Sequence, residues 1–342
     1  MALQSFSVCG SMAGSRQLFF GIDTGPSAGD EGAWESCGRP GAAIQITSMA
    51  AFNDGLYVGT YQDEVEGRVY RWGGGTNWEY VGSPDPCNTV SGMAVYKNEL
   101  YVGVSHYRAS GSSLPLSPNE APGGTVYKLG SDGEWISTGR LPAQRNPAAD
   151  SEQDFKYTGN LPGWDIDVID TVQGLTVYDG KLYAFPLYHR GVFSYDGSGP
   201  GWKYCGDPGV RLFALAAYHG QLFAAGNQGG DPTTGELIGG VYAYLGDGQW
   251  GPREIQRGVS QVYSFAELND EFYCGTWPEA RVYRRPADGI GDWVDCGRLG
   301  EEKEVMGMIT CEYKIPHTHS TDSLRCFRPA VFFNLTSCSF RN

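Results

Sequence analysis

The sequence predicts an all-β fold made of repeated four-stranded sheets, and three observations carry that prediction. The 342 residues include 50 Gly, 21 Tyr, 15 Phe and 9 Trp, while charged residues make up only 19%. Glycine is at about twice its usual share and charge is below the usual quarter. Such a mixture suits many short strands joined by tight turns. An apolar motif of the form Leu-Tyr-Val-Gly also recurs along the chain, in five of its six copies with an apolar residue seven positions earlier. Asn, Asp and Gly cluster just before it, as two-residue hairpin turns with positive φ require.

The units follow one another in order. The first, about 8–41, carries Leu18-Phe19-Phe20-Gly21-Ile22 and closes on Trp34-Glu35-Ser36-Cys37-Gly38. The second, 46–84, opens on Met49, turns at Asn53-Asp54-Gly55 and runs on as Leu56-Tyr57-Val58-Gly59-Thr60; Val69-Tyr70 and Trp78-Glu79-Tyr80-Val81-Gly82 follow. The third, 89–141, repeats this with Met93, Leu100-Tyr101-Val102-Gly103-Val104, Val126-Tyr127 and Trp135, and carries an insertion from Ser105 to Gly124. Arg140 to Asp170, with Pro142 and Pro147, reads as a long surface loop. The fourth, 171–209, has Leu175, Asp179-Gly180, Leu182-Tyr183-Ala184, Val192-Phe193 and Trp202. The fifth, 211–258, has Leu215, His219-Gly220, Leu222-Phe223-Ala224, Val241-Tyr242 and Trp250. The sixth, 260–300, has Phe265, Phe272-Tyr273-Cys274-Gly275-Thr276, Val282-Tyr283 and Trp293. Segment 305–342 opens like a first strand at Val305-Met306-Gly307-Met308, but after Ile309 the pattern fails, so it reads as a degenerate or aberrant unit.

A four-strand unit repeating every 40–50 residues is the mark of a β-propeller blade. One blade cannot bury both faces, so neighbours stack radially, with the repeated Tyr and Trp filling the gaps. The expectation is a single propeller domain over 1–342, with seven blades or alternatively six. Ring closure would bring the two chain ends together, since an open sheet edge invites aggregation.

Composition and charge exclude other classes. Aromatic and aliphatic content is too high for disorder, the glycines lack collagen's period of three, and no apolar run reaches the ~18 residues of a membrane helix. The net charge of −14 makes nucleic acid and anionic membranes poor partners. Nine cysteines are too few for a disulfide scaffold of this length. Residues Met1 to Ser7 lack the basic and apolar regions of a signal peptide, which leans towards the cytoplasm. A monomer is expected.

The spacing of the Leu-Tyr-Val-Gly, Val-Tyr and Trp segments over about residues 8–300 resembles kelch-type propeller repeats. Kelch blades carry paired glycines after the second strand. Here Gly59-Thr60, Gly103-Val104 and Gly275-Thr276 have one, and Phe185-Pro186 has none. The Trp-turn segments are also similar to tectonin-type lectin propellers. The resemblance implies a binding scaffold for a ligand or partner and fixes no activity.

Loops after the second strands would share one face near the axis. They hold Tyr61, Asp63, His106, Tyr107, Arg108, Tyr188, His189, Arg190, Asn227, Trp277 and Glu279 as candidate ligand contacts. Aromatic rings can stack on sugars while Arg and Asn bind hydroxyls or carboxylates. The leading expectation is non-catalytic binding of a carbohydrate or a protein. The alternative is a polysaccharide lyase using His106, Tyr107, Arg108, His189 and Arg190 for β-elimination. Asp63, Glu64, Asp231 and Glu279 are the carboxylates open to a glycosidase. Asp165 and Asp167 share a strand face that could hold Ca²⁺, although a solvated strand edge is the simpler reading. No zinc-ligand spacing exists, and no metal or cofactor is expected. Cys37, Cys205 and Cys296 occupy one repeat position and read as structural. Asn334-Leu335-Thr336 fits a glycosylation sequon.

Overall fold

A computed structural model describes residues 7–9, 19–21, 34–62, 66–108, 114–143, 168–226, 239–254, 259–289, 292–298, 303, 305, 307–313 and 326–332. The described residues are all-β and contain no helix. Strands β1 (Ser7–Cys9), β2 (Phe19–Gly21) and β3 (Trp34–Ser36) form a three-stranded antiparallel sheet. The second unit comprises β4 (Ala43–Phe52), β5 (Gly55–Gln62), β6 (Val69–Gly74) and β7 (Asn77–Gly82). The third comprises β8 (Thr89–Tyr96), β9 (Glu99–Ser105), β10 (Thr125–Leu129) and β11 (Trp135–Arg140). One pairing, Tyr61 with Thr89, joins these two units into an eight-stranded sheet.

Three separate four-stranded sheets follow. They are β12 (Gly174–Tyr178) to β13 (Lys181–Phe185), β14 (Phe193–Tyr195) and β15 (Lys203–Tyr204); β16 (Leu212–Tyr218) to β17 (Gln221–Gly226), β18 (Gly240–Gly246) and β19 (Gln249–Trp250); and β20 (Gln261–Leu268) to β21 (Glu271–Trp277), β22 (Arg281–Arg284) and β23 (Val294–Arg298). The last pair is β24 (Gly307–Tyr313) with β25 (Cys326–Phe332). The repeat pattern stops at Ile309, yet strand pairing runs on to Tyr313, because a ladder needs backbone groups and not a particular motif.

The first strands lie side by side in the order β4, β8, β12, β16, β20 and β24, and β1 lies against β24 and β25. This radial stacking of antiparallel sheets is the arrangement of a β-propeller. Each main core cluster spans two consecutive sheets; one gathers Phe223, Val241, Val262, Phe272, Cys274 and Trp293. Apolar burial therefore lies chiefly between sheets, where a single blade could not achieve it.

The hairpins follow the turn chemistry. Strands β4, β8, β12, β16 and β20 each return to the second strand through two residues at positive φ: Asn53 and Asp54, Lys97 and Asn98, Asp179 and Gly180, His219 and Gly220, Asn269 and Asp270. Phe52 pairs with Gly55, and Tyr96, Tyr178, Tyr218 and Leu268 hold the same place in later sheets.

Contacts of three kinds recur between neighbouring sheets. On the turn side, the hydroxyls of Tyr96, Tyr178 and Tyr218 donate to the carbonyls of Gly180, Gly220 and Asp270 in the next sheet, at 2.8, 3.1 and 2.6 Å. At the waist, Ser48, Ser91 and Ser264 donate to the carbonyls of Val90, Val172 and Val305, at 2.8, 2.7 and 2.9 Å. Gly59, Gly103 and Gly275 lie beside these bonds, and a Cβ on any of them would strike the same valines. Close approach of the next sheet thus explains the repeated glycine. In the fourth unit Phe185 takes that place, and Gly174, its cross-strand partner, leaves room for the ring.

At the outer edge, the Trp78 and Trp250 indoles donate to the carbonyls of Cys37 and Cys205, at 2.7 and 3.0 Å. Cys37 and Cys205 are buried, whereas Cys296 at the equivalent place is exposed. Cys205 and Cys296, with Cys87 and Cys274, are free thiols.

Candidate functional site

The loop that leaves β9 carries His106, Tyr107 and Arg108, and buried Asn88 fixes it. The Asn88 amide donates to the Tyr107 carbonyl at 2.9 Å, and its Oδ1 accepts the Tyr107 N–H at 2.8 Å. A side-chain amide that mimics a backbone partner in this way satisfies groups that would otherwise be stranded. The segment before β12 docks alongside. The His106 N–H donates to the Asp170 carbonyl at 2.9 Å, and the Val172 N–H donates to Ser105 Oγ at 2.9 Å. Gly123 and Gly124, both at positive φ, leave no space for a Cβ against Ile169 and Asp170. Thr171 Oγ1 then accepts the Leu187 N–H at 2.9 Å, which ties in the loop after β13.

This scaffold places the Asp170 carboxylate between two units. Arg108 forms an ion pair with it, and His189 Nδ1 lies 3.8 Å from its other oxygen. The three side chains are only 12%, 11% and 14% exposed. The Arg108 guanidinium also sits over the Tyr188 ring, 5.1 Å from its centre, and the Arg108 N–H donates to the Tyr188 hydroxyl at 3.0 Å. Removing one partner of a buried ion pair costs several kcal/mol, about 3–5, so the cluster holds the two loops together. Half-buried Arg211 lies among Tyr263, Tyr188 and Tyr107, and Phe213 meets Tyr263 edge-on at 4.8 Å.

Burial sets the protonation states. It holds the His106 imidazole below its ordinary value, aided by Arg108 and opposed by Asp170. It pushes the Tyr188 phenol up, with Tyr107 adding to the effect and Arg108 and Arg211 opposing it. Arg211 is lowered by burial, against opposing effects of Tyr263, Tyr188 and Tyr107. The site thus offers a neutral imidazole, a protonated phenol and a rigid set of donors and rings.

His106, Tyr107, Arg108, Tyr188 and His189 come together around Asp170. Tyr61 is fully buried, packs edge-on against Tyr107 at 5.3 Å and donates to the Pro115 carbonyl at 2.7 Å. Arg190 pairs instead with Asp207 at 3.1 Å and donates to the Gly209 carbonyl. Trp277 ends β21 opposite Gln261, whose side chain accepts the Tyr263 hydroxyl. Glu279 pairs with Arg281, which also reaches Asp295. Asp63, Glu64, Asn227, Asp231, Asp165, Asp167 and Asn334 lie outside the described residues. Sequence reasoning missed Asn88, Asp170 and Arg211; a buried polar residue just ahead of a first strand was the available signal. Among the described residues, no group of His, Cys, Asp and Glu is placed to hold a metal. No described helix is long and apolar enough to cross a membrane.

No family model matches the chain, and no curated protein matches it. Solved structures do. The extracellular domain of a hybrid two-component system from B. thetaiotaomicron is 12% identical with a TM-score of 0.48; the match covers 90% of this chain and 36% of that one. The chain therefore spans about a third of that domain's length. A nidogen/laminin complex is 12% identical with a TM-score of 0.50, covering 89% of this chain and 96% of that one. The computationally designed Ika8 protein is 13% identical with a TM-score of 0.44, covering 90% and 92%. At such identities a likeness speaks to fold alone, and the nidogen/laminin match, together with the radial sheets, supports a β-propeller.

Proposed function

We propose that the chain is a non-catalytic binding scaffold whose ligand, a carbohydrate, docks on the loop face around Asp170. A ring of seven sheets is the arrangement this reading assumes, supported by the approach of β1 to β24 and β25. The observation that carries the reading is the cluster of Arg108, Asp170, His189 and Tyr188, built from two consecutive units and cross-linked before any ligand arrives. Preorganised polar groups beside Tyr rings are what a sugar site needs, because little ordering remains to oppose binding.

One observation favours a polysaccharide lyase as the second reading: the lowered His106 imidazole is neutral and able to accept a proton. Two others weigh against it. Arg108 is already matched by Asp170, and the Tyr188 hydroxyl is engaged with the Arg108 backbone. A glycan array with wild type, His106→Ala and His189→Ala tests both readings, alongside an assay for unsaturated products on acidic polysaccharides. Binding by wild type, weakened about tenfold or more in the variants and without product, is the expected result. Product formed by wild type and lost in the variants would move the assignment to the lyase. Binding equal in all three proteins would remove the loop face from the reading.

A further inference from the structure

A cavity of about 850 Å³ opens between the fourth and fifth sheets, on the side of the hairpin turns and away from Asp170. Its size is within the ~300–1,000 Å³ of small-ligand sites. Lys181 and Tyr183 alternate along β13 and so share a face. Tyr183 pairs with Ser194, and Ser194 pairs with Lys203, which sets Lys203 on that same face. The rings of Tyr178 and Tyr244 stand 5.7 and 6.2 Å from the Tyr183 ring. Both are fixed, Tyr178 by its bond to the Gly220 carbonyl and Tyr244 by the Gly248 N–H. Asp179 and Asp247 stand on the turns at the rim.

Three donors in this cavity are unmatched. Among the described residues, neither lysine ammonium nor the Tyr183 hydroxyl meets an acceptor. Lys97 and Lys128, by contrast, are held at 2.7 Å by the Asp196 carbonyl and by Glu99. Burial, with Cys205 and Tyr244, pushes the Tyr183 phenol up, so its proton stays available to donate.

We propose that this cavity is a second binding site and takes an anionic saccharide. A carboxylate or sulfate would lie between Lys181, Lys203 and the Tyr183 hydroxyl, with sugar hydroxyls donating to Asp179 and Asp247. Both halves of the lining are needed for that assignment. An acidic peptide would satisfy the lysines but bring few hydroxyls to the carboxylates. Nucleic acid would meet those carboxylates on a chain of net charge −14. A neutral saccharide would give the two ammonium groups no charged acceptor, and charge-assisted bonds are the strong ones.

Calorimetric titration of the full chain tests the site with four probes: an oligogalacturonate, a heparin-type oligosaccharide, a neutral cello-oligosaccharide and a polyglutamate peptide. At least one charged saccharide should bind about tenfold or more tightly than the neutral one. Whether the carboxylate or the sulfate probe wins identifies the acid. The double variant Lys181→Ala/Lys203→Ala should lose about tenfold or more of that affinity. The double arginine variant should keep most of it, and all three proteins should melt alike because both lysines are exposed. Unchanged affinity in the alanine variant, polyglutamate binding as tightly as the saccharides, or no binding by either charged saccharide would each overturn the proposal. Glycan binding at the loop face should be unchanged in the alanine variant, so the two sites succeed or fail separately.

Discussion

Asp170 shares one carboxylate between Arg108 and His189, and its charge also bears on His106. The His106 imidazole is held below its ordinary value because burial and Arg108 outweigh Asp170. A lowered value in the folded state means that the unfolded chain takes up the proton first as pH falls. The stabilisation is therefore complete above about pH 6.5, the ordinary histidine value, and is lost as pH drops from there through the folded value. His106→Gln removes this dependence. Between about pH 7 and pH 5 the melting temperature of the variant should fall less than that of wild type, and an equal fall in both proteins would refute it. His106 and His189 were legible because they stand at nearly equivalent places in consecutive repeats. Asp170 was not, because it follows a long insertion and is brought in by Ser105, Gly123 and Gly124, which are remote in the chain.

The hairpins were the most legible elements. Asn53-Asp54, Asp179-Gly180 and His219-Gly220 carry residue types that tolerate positive φ, and the structure has them there. Lys97-Asn98 adopts the same turn, with Asn98 at φ 58. Asn98→Val should cost about 1–2 kcal/mol, the penalty of a left-handed backbone for a side-chain-bearing residue, while Asn98→Gly should be tolerated. Denaturant unfolding of the two variants checks this, and equal midpoints would contradict it. The waist glycines were legible as a repeated letter but not as a reason. Gly59, Gly103 and Gly275 are small because Val90, Val172 and Val305 press on them from the next sheet. A single unit read along its own length does not contain that neighbour.

For the whole molecule, all-β character and the succession of sheets were readable from the repeat, whereas the joining of the second and third units through Tyr61 and Thr89 was not. The segment after Val305 gave little pattern, yet the Val305 N–H donates to the Thr276 carbonyl, its own carbonyl accepts from Ser264, and β24 lies against β20. Deleting residues 305–342 should lower the melting temperature, and an unchanged melt would show that the segment adds nothing to the stack. The contacts between sheets have a direction: Tyr96, Tyr178 and Tyr218 each donate forward, while Trp78 and Trp250 each donate backward. Such head-to-tail surfaces are self-sufficient under tandem copying. A duplicated unit brings a tongue on one side and its matching groove on the other, so the stack can lengthen without inventing a new interface. Divergence then registers as broken joints, as where Phe52 and Leu268 have no hydroxyl to offer. At Cys296, whose thiol is exposed, no described indole makes the bond that Trp78 and Trp250 make to the Cys37 and Cys205 carbonyls.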